Sequence, residues 1–299
     1  MSSTPGKKPL REGSPLAVPA LDEWRAMSPD ERDRLVLRIM DALSDPQRAL
    51  PEGRRHKKAK GQVVDVLGLH FGSTGRVIYL AEEMTVMYPG EDAFTPDVLA
   101  VLDVPQPDDD PRMAWVVADE GRGLDLVIEV LHQGNRKKDL VENVERYARL
   151  GIPEYFIYDR LHQQIHGYRL PAPGPGRYQR IVPQFGRYSS AVLGLDLAVQ
   201  GGQLRFFYGM AELFGSADLI GRLHGMVEEL STKADEQQAR IEQMLTGMRE
   251  AVVAAIAARG IAMSDEARER LASCDEVAKL QGWLLRALSA TSLDDVFAP

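Results

Sequence analysis

A mixed α/β fold with an all-α C-terminal appendage is predicted by three observations in this 299-residue chain. The middle reads strand, helix, strand: apolar Leu124–Leu131, a helical run closing at Leu150, and apolar Glu154–Asp159. Segments of period two, separated by turn residues, lie on either side of that unit. From Asp218 onward the pattern is helical throughout. Three regions follow: a flexible tail at 1–20, an α/β domain at 21–215 and a helical appendage at 216–299.

The ordered chain is expected to begin at Ser28-Pro29-Asp30-Glu31, a capping box with proline at the first helical position. The helix it starts buries Leu35, Ile39 and Leu43. A second helix is expected from about Glu52 to Leu69, with Val63, Val64 and Leu67 facing inward. Its start, Arg54-Arg-His-Lys-Lys-Ala-Lys60, puts positive charge where the helix macrodipole disfavours it. That run is either a solvated face or a patch facing phosphate. Val77–Leu80 and Met84–Tyr88 read as paired strands, followed by an apolar strand after Asp97 and another at Met113–Val117. Asp108-Asp-Asp-Pro111 is a solvated turn, because no calcium-loop spacing follows it. Gly151 and Pro153 stop the central helix. Ile165–Leu170, Tyr178–Val182, Leu195–Val199 and Leu204–Tyr208 continue as an antiparallel meander. In the appendage, Leu219, Leu223, Met226 and Leu230 fit a coiled-coil seam, which Ile241, Leu245, Met248 and Val252 resume. Two short helices start at Ser264 and Ser273, packed through Leu280, Trp283, Leu284, Leu288 and Phe297.

Composition narrows the function classes. The net charge of −8 argues against broad electrostatic capture of nucleic acid, though not against a local basic groove. Such a groove has a candidate in Arg160–Arg187, which carries arginines and no acid, interleaved with Tyr168, Tyr178 and Phe185. A single cysteine, Cys274, excludes an intramolecular disulfide framework and a Cys-based zinc site. With no signal-like or bilayer-length apolar run, a cytoplasmic protein without a membrane span is expected.

The chemistry concentrates in two acids. Glu129 sits deep in an apolar strand, where an uncompensated polar group costs about 2–7 kcal/mol. Asp97 stands at the mouth of a second apolar strand. One such acid alone reads most simply as the partner of a core arginine or lysine. Two on neighbouring strands beside a basic cluster suit a divalent metal held against a phosphodiester. Alternation along the strand places Asp125, Val127, Glu129 and Leu131 on one face and His132 on the other, so His132 reads as a core or loop residue.

Pro96-Asp97, Glu129-Val130-Leu131, Asp139 opening a helix with Tyr147, and Gly151-Ile-Pro-Glu-Tyr155 to Asp159 together resemble the Uma-two family. These are restriction-endonuclease-like proteins of the PD-(D/E)XK nuclease superfamily, and the resemblance covers roughly residues 20 to 210. It implies a central mixed sheet flanked by helices and Mg²⁺- or Mn²⁺-dependent hydrolysis of DNA. Asp97 and Glu129 would be the metal-binding carboxylates, with the Val130 carbonyl as a natural third ligand. The family's lysine position on the following helix is held here by Asn143, which cannot supply positive charge. Projected back along that helix at 100° per residue, Lys137 turns inward and Lys138 outward, making Lys137 the candidate substitute. Arg136, Lys137 and Lys138 are the candidate DNA contacts, and a homodimer through the C-terminal helices is expected. The competing reading is a weakened nuclease-like domain that binds nucleic acid or a partner, favoured by Asn143 and the acidic charge.

Overall fold

The computed structural model describes residues 14–44, 54–131 and 137–298. Arg136, His132 and the first thirteen residues of the expected tail lie outside the described residues. The chain divides into two compact units, Met1–Leu219 and Ile220–Pro299.

In the first unit, α1 (Leu21–Ala26) and α2 (Pro29–Leu43) precede α3 (Arg54–Thr74). The Ser28 capping box forms, with the Glu31 carboxylate accepting from the Ser28 N–H at 2.8 Å. Leu35 and Ile39 of α2 are buried beside Trp24, Met87 and Ala93. The strands are β1 (Ile78–Glu82), β2 (Thr85–Met87), β3 (Val98–Leu102), β4 (Ala114–Val116), β5 (Leu126–Leu131), β6 (Glu154–Asp159), β7 (Gln164–Arg169) and β8 (Gln179–Arg180). Helix α4 (Val117–Glu120) follows β4. A π-helical turn at Lys138–Glu142 leads into α5 (Asn143–Leu150). The expected mixed α/β architecture is present.

Six strands form the central sheet in the order β1-β3-β5-β6-β7-β8. Within it β5 and β6 run parallel, joined across α5, and the other neighbours are antiparallel. Gly151 ends α5 in the left-handed region at φ 78°, where lacking a Cβ removes the penalty. Order begins before Ser28, since α1 precedes it and Val18 and Trp24 are buried. Two expectations about the strands also need correction. Val77–Leu80 and Met84–Tyr88 do not pair with each other: β1 pairs with β3, while β2 runs parallel to β4. Glu83, at φ 53°, turns the chain between them, and its N–H bonds to the Asp97 carbonyl at 3.1 Å. The meander also divides. Strands β9 (Tyr188–Ser190), β10 (Leu195–Gln200), β11 (Gln203–Tyr208) and β12 (Ala211–Glu212) make a separate four-stranded sheet.

Alternation sorts each central strand between two cores. Ala100, Ile128, Val130 and Phe156 pack with Val63, Leu67 and Phe71 of α3 and with Leu195 and Phe206 of the second sheet. Leu99, Val127, Leu131 and Ile157 pack with Tyr147 of α5 and Trp115 of β4.

The second unit holds most of α6 (Ser216–Ala258), with α7 (Asp265–Ala272), α8 (Val277–Ala287) and α9 (Leu293–Val296). Here the expected seam splits. Leu245, Val252 and Ile256 are covered by Leu271, Leu280, Trp283, Val296 and Phe297 of the same unit, so they are not free to continue an intermolecular seam. Leu223, Met226 and Leu230 are about 60% exposed. Leu288 is exposed as well and does not join the packing expected of it.

Candidate functional site

Strand register brings the two sequence-predicted acids together. Val98 faces Ile128 across the antiparallel β3–β5 pair, which sets Asp97, one residue earlier, opposite Glu129. Residues directly opposite share a face. Two hydrogen bonds lock the arrangement: the Asp97 N–H donates to Glu129 Oε2 at 3.2 Å, and the Val130 N–H donates to Asp97 Oδ2 at 2.6 Å. From α5, the Tyr147 hydroxyl donates to Glu129 Oε1 at 2.8 Å.

A cation reaches the pair from α3. Lys60 is 1% exposed, and its Nζ lies 3.0 Å from Asp97 Oδ1 and 2.6 Å from Glu83 Oε1. His56, one turn earlier, is also buried and places Nε2 3.7 Å from Asp97 Oδ1. Sequence reasoning singled out the run containing both residues but did not assign them to the site. The signal was their spacing. Lys60 stands three residues before Val63 and seven before Leu67, while His56 stands four before Lys60. Both therefore extend the buried stripe of α3 toward its N-terminus.

Asp139 joins the group from the π-helical turn. Asn143 is buried, and its Nδ2 donates to Asp139 Oδ1 at 3.0 Å. Asn143 therefore bears on the cluster through Asp139. Lys137 stands apart: it is exposed, with its ammonium 3.9 Å from Glu142. Lys138 is the lysine whose charge reaches Glu129 and Asp139. The 100° projection assumed an α-helix, whereas i→i+5 bonding across Lys138–Glu142 winds the chain differently.

The three carboxyls differ in proton affinity. Burial raises Asp97, but hydrogen bonding to His56, the Lys60 charge and the Val130 N–H outweigh it, so Asp97 lies below its ordinary value. Glu129 is raised well above the ordinary range, first by burial and then by the charges of Asp97 and Asp139. Burial, with the Asp97 charge, lifts Asp139 to about 6, against the pull of Lys138, Asn143 and His56. Like charges crowd a desolvated space; Lys60 relieves it on the Asp97 side, and Lys138 offsets only part of the rise at Glu129 and Asp139. Hard oxygen donors in such crowding match a divalent cation with retained waters. Among the described residues, no three His, Cys, Asp or Glu side chains converge closely enough to hold a metal by themselves. Any ion here would rest on two carboxylates, a backbone carbonyl and water.

The arginine run does not form one rim. Arg160 follows β6 at the strand end near Glu129, because Asp159 pairs with Leu131. Arg169 pairs with Glu154 at the opposite edge and lines a separate groove with Arg180 and Arg187.

Among the described residues, no helix is long and apolar enough to cross a membrane. No curated protein matches the chain. Among solved structures, a putative nuclease belonging to DUF820 from Anabaena variabilis is similar at 16% identity, with a TM-score of 0.35, over 46% of this chain and 74% of that one. The model of the Uma2 family, described as a putative restriction endonuclease, matches residues 48–200. That match spans just over half of the sequence and contains Asp97, Glu129 and Lys60, so the chain belongs to the Uma2 family.

Proposed function

We propose that this protein is a divalent-metal-dependent DNA endonuclease of the PD-(D/E)XK type. The observation that carries the reading is the Asp97–Glu129 pair, set opposite each other by strand register and met by a buried lysine. Asp97, Glu129 and the Val130 carbonyl would hold Mg²⁺ or Mn²⁺. When bound, the ion supplies Lewis-acid polarisation of the phosphate and a lowered pKa for an attacking water. The chain's own residues do the positioning. Tyr147 fixes one oxygen of Glu129, and the Val130 N–H fixes one of Asp97. Lys60 supplies the positive charge that Asn143 cannot, from a different helix, while Glu83 holds its ammonium in place. Arg136, Lys137 and Lys138 would contact the DNA backbone, and Lys138 is the one nearest the carboxylates in electrostatic effect.

The experiment compares plasmid and linear DNA incubated with Mg²⁺, Mn²⁺ or EDTA. Cleavage is expected with either metal, lost in EDTA and reduced at least ~10³-fold by Glu129→Gln, since the ion contributes several kcal/mol. Metal-independent cleavage, or full activity of Glu129→Gln, removes the reading. One observation favours a second reading, a weakened nuclease-like domain that binds nucleic acid without cutting it: the family's lysine position is Asn143, hydrogen-bonded to Asp139. Salt-sensitive DNA binding with no cleavage under any metal would establish it. For assembly, we propose that the exposed Leu223, Met226 and Leu230 stripe of α6 seats a second copy, bringing two sites to one duplex.

A further inference from the structure

A second feature lies at the same end of β5 and β6 as the carboxylates, on the sheet face that packs against α3, opposite the face carrying Glu129. A cavity of about 300 Å³ is lined by Lys58 and Gln62 of α3, Tyr158 and Arg160 at the end of β6, and the Gly201-Gly202-Gln203 turn. Lys58 and Gln62 are four residues apart and so share a helix face. That face differs from the one carrying His56 and Lys60 to Asp97. Gly201 and Gly202 occupy consecutive left-handed conformations, at φ 57° and 70°, which place bare backbone rather than side chains along one wall. The Tyr158 hydroxyl pins the turn by donating to the Gly202 carbonyl at 2.6 Å.

The lining is selective in charge. Among the described residues, both ionic groups lining the cavity are cations, two amides accompany them, and no acid lines it, in a chain of net charge −8. Fork-shaped arginine, point-charge lysine and amide N–H donors are the set that phosphate oxygens accept from. The place of the cavity narrows the source of that phosphate. Arg160 follows Asp159, which pairs with Leu131, two residues beyond Glu129 on the neighbouring strand. α3 spans both features, offering Lys60 to the acids and Lys58 to the cavity.

We infer that this cavity binds a backbone phosphate of a nucleic-acid strand, flanking the phosphate addressed by Asp97 and Glu129. The inference rests on the nuclease reading for its substrate, yet it stands on separate residues. Lys58 and Arg160 anchor the strand electrostatically, and Gln62 and Gln203 orient the phosphate. A strand held here is fixed in register relative to the carboxylates.

The test uses the full chain in EDTA with a fluorescein-labelled duplex, read by anisotropy across a salt series, for wild type and for Lys58→Ala/Arg160→Ala. The double variant is expected to bind about tenfold more weakly, with a logarithmic salt slope lower by about 1 per cation removed. Calorimetric titration with inorganic phosphate is run in parallel. Wild-type affinity and slope in the double variant overturn the inference, and cleavage by the wild type would then leave the nuclease reading standing. Phosphate binding that the double variant abolishes, with DNA binding untouched, also overturns it and assigns the cavity to a small phosphate ligand. A weakened, shallower salt response in a protein that never cuts supports the cavity and removes the nuclease reading alone.

Discussion

Glu129 and Glu154 occupy the adjacent strands β5 and β6, both nearly inaccessible, and their surroundings are opposite. Glu154 faces Arg169 at 2.6 Å and accepts from the Ser190 hydroxyl and the Ala191 N–H. Its charge is answered, and it ties the central sheet to the end of β9 in the second one. Among the described residues, Glu129 accepts from neutral donors, the Tyr147 hydroxyl and the Asp97 N–H, while two other carboxyls raise its proton affinity. Burial of an acid is therefore not the mark of a site. An acid crowded by further acids, with no direct ion pair among the described residues, is the arrangement that folding alone does not favour.

Exchanging each glutamate for glutamine puts that contrast to its hardest test. Glu154→Gln leaves Arg169 without its carboxylate and is expected to lower unfolding free energy by about 3 kcal/mol in a urea titration. Glu129→Gln keeps an acceptor for Tyr147 and removes a disfavoured charge, so stability should change by less than about 1 kcal/mol. Equal losses would show that both acids are structural.

The cation separates the two regions further. Lys60→Met should lower metal-dependent cleavage by ~10²–10³-fold, the scale of losing one charged stabilising group. Asn143→Lys in that background should recover activity to within about tenfold of wild type. Failure of Asn143→Lys to restore any activity, with folding intact, would mean that Lys60 holds Asp97 in place and supplies no charge to the phosphate.

pH offers a third way to sharpen the contrast. Glu129 and Asp139 have folded values above their reference values of 4.5 and 3.8, so the folded chain retains protons that the unfolded chain has released. Metal-free stability should therefore fall as pH rises from about 4 through about 6, the value to which Asp139 is lifted. Asp97 is shifted below 3.8, and its opposite contribution belongs to more acid solutions. Thermal melts of wild type and Asp139→Asn across this range check the sign: the variant's profile should be flatter. Added Mg²⁺ should flatten the wild-type profile too, because a bound cation favours the ionised carboxyls.

The smallest effect concerns the second unit. Leu223→Glu/Leu230→Glu is expected to convert a dimer to a monomer by sedimentation, with helix content by circular dichroism nearly unchanged, since both side chains are exposed within the chain. Monomeric wild type would refute the seam.

Part of the candidate cluster was legible before the fold. Asp97 and Glu129 stood out because a carboxylate in an apolar strand violates the burial pattern around it. Lys60 and His56 were legible in principle, through their phase with Val63 and Leu67, but the charge of the run pointed toward solvent. Lys137 and Lys138 could not be ranked by projection, because a π-helical turn leaves no mark in hydrophobic spacing. The strand pairing of β1 and β2 was also hidden, since period two identifies a strand without naming its neighbour.

By itself the sequence determined most of the longer elements, their inward faces and the two acids, because alternation and the 3.6-residue repeat are local properties of the backbone. Only the tertiary structure decided which charges meet. It placed Arg169 on Glu154 and Lys60 on Asp97, and it left Glu129 without a direct ion pair among the described residues. The α6 repeat divided in the same way, its second half covered by α7–α9 and its first half exposed. Partner choice depends on distances between residues far apart in the chain, and on how much water each group loses, and neither quantity is written in a local pattern.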